Sequence, residues 1–212
     1  MKTNINKMIG LGSTSRVGKD LLAELLGRRF EQEGFLVKKY ALAYELKKDC
    51  EQFLKEKLNL DVWSNDTEIK SKFREFLVWY GKVKREESQG AYWTGLLQER
   101  IEADYKSSPD RNKFIAIVTD IRYCDPRFPK DEVYWIKKVM RGILINLDRK
   151  LPDGSYVQPA NKDEETHSLR VRCASSYEMR WHTDSNDNLI TEYINPLYQF
   201  ITKKFHDRST NS

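Results

Sequence analysis

Residues Ile9-Gly10-Leu11-Gly12-Ser13-Thr14-Ser15-Arg16-Val17-Gly18-Lys19-Asp20 constrain this chain more than any other stretch. A short apolar strand runs into a loop of small residues. Gly18 and Lys19 then open a helix pattern, Leu21-Leu22-Ala23-Glu24-Leu25-Leu26. Small residues let successive backbone N–H groups turn inward onto phosphate oxygens. The N-terminus of the helix adds partial positive charge. The layout is that of a P-loop, with Lys19 placed to reach the β- and γ-phosphates of a nucleotide. Two positions depart from the G-x-x-x-x-G-K-[ST] rule. Ser13 stands in the first glycine slot, with Gly12 one place early, and Asp20 stands in the hydroxyl slot. An aspartate there can approach Mg²⁺ directly or through water, or act as an acid at the helix N-terminus. Ser13, Thr14, Ser15, Arg16, Val17, Gly18, Lys19 and Asp20 together form the candidate ATP-binding loop.

The rest of the chain alternates strand and helix patterns, which predicts an α/β fold. Met8 to Gly12 reads as the first strand, followed by a helix to about Glu33 that Gly34 stops. Phe35 to Ala41 reads as a second strand and Leu42 to Leu58 as a helix, with Leu46, Cys50, Phe53 and Leu54 as its apolar positions. Asp61 to Asp66 is a loop. A helix from about Thr67 to Trp79 is expected to end at Gly81, and another runs from about Gly90 to Tyr105. Phe114-Ile115-Ala116-Ile117-Val118-Thr119-Asp120 is a continuous apolar run, the pattern of a parallel strand covered on both faces. Glu132 to Lys138 reads as a short helix and Ile143 to Leu147 as a further strand. Residues 150–187 are polar and irregular and read as an insertion or lid. Asn188 to Thr191 reads as a last strand, before a helix from about Asn195 to Phe205.

Asp120 ends the buried strand, and ligands of open parallel sheets bind at the carboxyl ends of strands. Beside a P-loop, such an aspartate can hold Mg²⁺ through water or orient an attacking oxygen. Arg122 is placed to clamp a phosphate with two hydrogen bonds. Asp20 and Asp120 are the candidate metal ligands, and Lys19, Asp120 and Arg122 the candidate catalytic group.

At 212 residues with 39% hydrophobic and 33% charged residues, the chain suits one α/β domain with insertions. Its net charge of +5 fits an anionic ligand. No basic run is long enough to prefer nucleic acid. Cys50, Cys124 and Cys173 are widely spaced and lack a C-x-x-C pair, which argues against a disulfide framework or structural zinc and for reduced thiols in cytosol. The residues after Met1 form no signal-peptide core, and no apolar run is long enough to span a bilayer. His167 and His182 are isolated, and the five tryptophans read mostly as core.

Several segments in order resemble the deoxynucleoside monophosphate kinases of tailed bacteriophages, a branch of the P-loop nucleoside and nucleotide kinases. That family's loop also carries Gly-Lys-Asp, as at Gly18-Lys19-Asp20. Tyr40-Ala41-Leu42-Ala43 with Lys47 resembles its segment after the second strand, and Arg74-Glu75-Phe76-Leu77-Val78-Trp79-Tyr80-Gly81 its arginine-bearing helix. Arg85 and the pair Tyr92-Trp93 follow in place. Thr119-Asp120-Ile121-Arg122-Tyr123 resembles its Asp-x-Arg strand end, and Leu147-Asp148-Arg149 its strand closing on an arginine. The sequence departs from the family at Ser13, at Val78, where the family has glutamine, and at Leu169-Arg170 after Thr166-His167-Ser168.

The resemblance implies a P-loop NTPase three-layer sandwich over residues 1–212, with a central, mostly parallel sheet. A helical acceptor-binding region (42–105) and a lid (150–187) would complete it. It implies transfer of the ATP γ-phosphoryl group, with Mg²⁺, to a deoxynucleoside monophosphate in the cytoplasm, that of the host if phage-encoded. Lys47, Arg74, Arg85, Trp93, Arg122, Arg149, Arg170 and Arg172 are the acceptor-binding candidates. A homodimer is implied, with a small-molecule nucleotide substrate and neither membrane nor nucleic acid as partner. The alternatives are a kinase resembling dephospho-coenzyme A kinase, a nucleotide-binding protein without catalysis and a nucleic-acid-binding module.

Overall fold

A computed structural model describes residues 5, 7–182 and 189–210. Its centre is a five-stranded sheet in the order β2-β3-β1-β4-β5, with every neighbouring pair parallel. The strands are β1 (Met8–Gly12), β2 (Leu36–Ala41), β3 (Phe114–Ile121), β4 (Ile143–Arg149) and β5 (Tyr177–Trp181). The helices are α1 (Lys19–Glu31), α2 (Leu42–Leu58), α3 (Thr67–Glu87), α4 (Tyr92–Ser107), α5 (Glu132–Tyr134), α6 (Lys162–Ala174) and α7 (Asn195–Thr210). Among the described residues no helix is long and apolar enough to cross a membrane.

Alternation along the strands explains the three layers. Ile9, Leu11, Ile115, Ile117, Ile143 and Ile145 point to one face, where Leu22, Leu26 and Phe30 of α1 meet Leu197 and Ile201 of α7. Met8, Phe114, Ala116, Val118 and Leu144 point to the other, against Leu97 and Ile101 of α4, Ile136 and Val171 of α6. Both faces of β1 and β3 are therefore dry, which is why their sequences are continuously apolar. A satellite core of Cys50, Leu54, Val62 and Phe73 joins α2 to α3.

The structure corrects the sequence reading in four places. α3 passes through Gly81 and ends only at Glu87. Gly81 is buried there, its carbonyl accepts the Trp93 indole N–H at 3.2 Å, and a methyl group on it would come within 3.3 Å of Leu46 Cδ2. Close packing of α2 and α4 on this glycine outweighs its poor helix propensity. Phe53 of α2 is exposed and stacks on Phe76 instead of entering the core. Residues 150–187 contain α6 and β5 rather than irregular chain alone. The fifth strand is thus Tyr177–Trp181. Residues 190–194 form a π-helical turn leading into α7, and Asn188 lies outside the described residues. The short helix near Glu132 continues as a π-helical turn over Trp135–Val139. Cys50, Cys124 and Cys173 are free, as expected.

Gly12 decides how closely α6 approaches the sheet. A Cβ there would stand 2.5 Å from Val171 Cγ1 and 3.0 Å from the Ile121 carbonyl oxygen. Gly12→Ala should therefore destabilise the fold by about 1–3 kcal/mol, the usual cost of overpacking. Urea unfolding checks this, and an unchanged midpoint would mean that α6 does not seat on β1 in solution.

Candidate active site

The loop between β1 and α1 lies at the carboxyl edge of the sheet, in the bend from Gly12 to Lys19. Gly18 caps α1 in the left-handed conformation (φ 91°), and a Cβ on it would meet Trp181 Cζ2 at 2.7 Å. The Trp181 indole donates to the Val17 carbonyl at 2.9 Å, tying the loop to β5. Ser13 has φ 147° and Arg16 φ 65°, both in the region that favours glycine. Ser13 thus holds the backbone shape that a glycine would adopt without strain, at a cost of order 1–3 kcal/mol.

Lys19 is only 5% exposed. Its ammonium donates to the carbonyl oxygens of Thr14 and Ser13, the latter at 3.4 Å. Burial pushes it down to about 8; the Arg122 charge adds to this, while Asp120, Asp20 and Glu164 oppose it. The lysine, both aspartates and Arg122 therefore share one electrostatic field, although Asp20 itself is exposed.

Asp120 also takes a left-handed backbone (φ 65°) and accepts from Arg122 Nη2 at 2.8 Å. Buried Glu132 fixes the turn after β3 by accepting the Arg122 amide at 2.7 Å and the Tyr123 amide at 3.0 Å. Burial raises the Glu132 carboxyl above its ordinary value, against the pull of Arg85 and Arg122. Burial works against the Arg122 charge too, but Asp120, Glu164 and Glu132 outweigh it.

A cavity of about 470 Å³ opens from Asp120 and Arg122 toward α2 and α3. Lys47, Lys70, Arg74, Arg85 and Arg122 bring positive charge to it, and Leu42, Leu46, Phe73, Leu77, Val78 and Trp93 supply apolar wall. The Arg85 guanidinium lies 3.6 Å from the centroid of the Tyr123 ring. Five acceptor candidates from the sequence, Lys47, Arg74, Arg85, Trp93 and Arg122, meet in this one space. The other three lie elsewhere. Arg149 ends β4, across β1 from β3. Arg170, on α6, donates to the Cys124 carbonyl at 3.4 Å. Arg172 pairs with Glu178 at 3.0 Å and Asp148 at 3.7 Å, and lines a second cavity of about 290 Å³ with Ser13, Thr14 and Tyr156. His167 is buried, with Nδ1 3.1 Å from the Cys124 carbonyl oxygen, a structural seat for α6.

Lys70, Tyr123, Glu132 and Glu164 escaped the sequence reading. Glu164 had a signal: Asn161-x-x-Glu164 is the spacing of a helix N-cap with a returning acid. Asn161 does cap α6, its side chain accepting the Glu164 amide at 2.9 Å. Glu132 carried no comparable signal, because its partners are backbone amides brought to it by the fold.

No protein-family model matches the chain, and no curated protein matches it. Among solved structures it is similar to the crystal structure of APE1195 (TM-score 0.40, 12% identity, covering 96% of this chain and 98% of that one). It is also similar to shikimate kinase from Acinetobacter baumannii in complex with shikimate (0.38, 13%, 93% and 94%). A third is the Mycobacterium tuberculosis APS kinase CysC in complex with AMPPNP and APS (0.35, 12%, 93% and 95%). At 12–13% identity none of them assigns a substrate to this chain.

The Lys19 ammonium, the form that attracts phosphate, is present below about pH 8 and lost as the pH rises through that value. Affinity for inorganic pyrophosphate should therefore fall above it by about tenfold per pH unit. Lys19→Arg, which stays charged, should lack that alkaline limb. The same limb in both proteins, followed by titration calorimetry, would assign it to another group.

Proposed function

We propose that the chain is an ATP-dependent kinase that phosphorylates a small phosphate-bearing acceptor, a deoxynucleoside monophosphate. One observation carries the reading: the Asp120–Arg122 pair borders the cation-lined cavity and shares an electrostatic field with buried Lys19. A phosphoryl group held by Lys19 and the loop amides would thus have an acceptor cavity beside it. Phosphoryl transfer requires little covalent chemistry from the protein and depends on alignment and neutralised charge.

In this reading Lys19 and the amides of residues 13–19 hold the ATP phosphates. Arg122 bridges donor and acceptor phosphates, and Asp120 orients the acceptor oxygen. Arg74, Arg85, Lys47 and Lys70 hold the acceptor's own phosphate. Leu42, Phe73, Leu77 and Trp93 offer the flat apolar contact that suits a nucleobase. Among the described residues no cluster of three or more acidic, histidine or cysteine side chains could form a metal cage. Two carboxylates, Asp20 and Asp120, fit Mg²⁺, which binds through one or two carboxylates plus substrate phosphates. Bound there, the ion would neutralise charge on the phosphates.

A coupled ADP-release assay with ATP, Mg²⁺ and a panel of nucleoside monophosphates tests the function. Turnover is expected with at least one deoxynucleotide, and ATP binding without turnover on any monophosphate would sink the kinase reading. Lys19→Ala should lower kcat/KM by about a thousandfold. A near-normal rate would remove the loop from the mechanism. Arg74→Ala and Arg85→Ala should raise the acceptor KM roughly 10–100-fold with a smaller effect on the KM for ATP, the loss expected for one charge-assisted hydrogen bond. An effect confined to ATP would reverse the assignment of the two sites.

A further inference from the structure

Glu164, near the start of α6, reaches out of its own helix. One carboxylate oxygen accepts the Ser15 amide of the phosphate loop at 2.8 Å, and the other accepts the Ala160 amide at 2.7 Å. The first oxygen also lies 3.9 Å from Arg122 Nη1, and its charge is felt at Lys19. A loop amide, a buried ammonium and a guanidinium are the donors that phosphate oxygens seek at a helix N-terminus. A capping acid needs only the neighbouring amides of its own helix; the contact with Ser15 spans 149 positions of sequence. Burial disfavours the Glu164 charge, yet the amides of Ala160 and Ser15 and the Arg122 guanidinium hold its carboxyl below its ordinary value. The anion-binding groups of the loop therefore already face an anion, and it belongs to the chain itself.

We propose that Glu164 is a built-in phosphate surrogate: its carboxylate latches α6 onto the phosphate loop, and a nucleotide binds by displacing it. The inference rests on the nucleotide reading of the loop. The latch sits at the N-terminal end of α6, whereas Val171 holds the other half of the helix against Gly12. Displacing Glu164 thus frees the end of α6 that carries Asp163 and Glu165 while the Val171 contact acts as the pivot. Arg122, released from one carboxylate, becomes available to the incoming phosphate. Nucleotide affinity is then set partly by an internal competitor, and the apparent dissociation constant is the intrinsic one divided by the fraction of molecules that are unlatched.

Calorimetric titration of the full-length protein with ADP, without acceptor, tests this. E164Q, which removes the charge, should bind ADP about tenfold more tightly than wild type, the gain if the latched form holds about nine molecules in ten. E164D keeps the charge but is one methylene too short to span Ser15 and Ala160, and it too should bind more tightly. It carries the test if E164Q does not fold. Equal affinities in all three proteins would overturn the latch and leave the nucleotide site standing. A gain in E164Q with none in E164D would also overturn it, since the effect would then be the field of the charge and not the contact. Failure of every protein, wild type included, to bind ADP would remove the nucleotide reading and the latch together.

Discussion

Because β1 and β3 pair in parallel, with Met8 opposite Ala116 and Gly12 opposite Ile121, their carboxyl ends stop at the same edge of the sheet. That register places the loop after Gly12 next to the turn after Ile121. Lys19 and the Asp120–Arg122 pair become neighbours although a hundred residues separate them in sequence. The pairing is held by strands whose two faces are both dry, so a slip by one residue would exchange the partners of every core side chain. The helices α2 and α3 that line the cavity beside Asp120 then pack on each other and on α4, and Gly81 sets how closely Leu46 of α2 approaches α3.

The site built on that edge is electrostatically tense. An ammonium is buried among loop carbonyls beside a guanidinium, and two residues in the left-handed region, Ser13 and Asp120, frame it. Strain and desolvation of this kind concentrate where a ligand is to be held. Carboxylates from three different elements, Asp20, Asp120 and Glu164, offset the positive charge. A bound anion at the same place would offset it further.

Most of the architecture was legible in the sequence. β1, β3 and β4 announced themselves as apolar runs, and the limits of α2 coincide with its pattern of periodic residues. The loop between β1 and α1 was legible because its small residues and Gly18-Lys19 stand in a fixed local order. Two elements were not. α6 buries little beyond His167 and Val171, so its pattern is too polar to read as a packed helix. β5 lies at the sheet edge and buries only alternate residues, Met179 and Trp181, which made it short and weak as a signal. Gly81 misled because its cost in an isolated helix is offset by the approach of Leu46 and the indole of Trp93.

The sequence alone determined the parallel α/β character, the small-residue loop with its lysine opening α1, and the place of Asp120 and Arg122 at one strand end, since each depends on short local patterns. Only the tertiary structure decided which of the arginines share a cavity, that Arg149 and Arg172 stand apart from it, and that Glu132 and Glu164 belong to the site. Those facts rest on backbone amides and side chains brought together across 9 to 149 positions. A buried carboxylate finds its donors in space, and no local pattern of residues records where they will be.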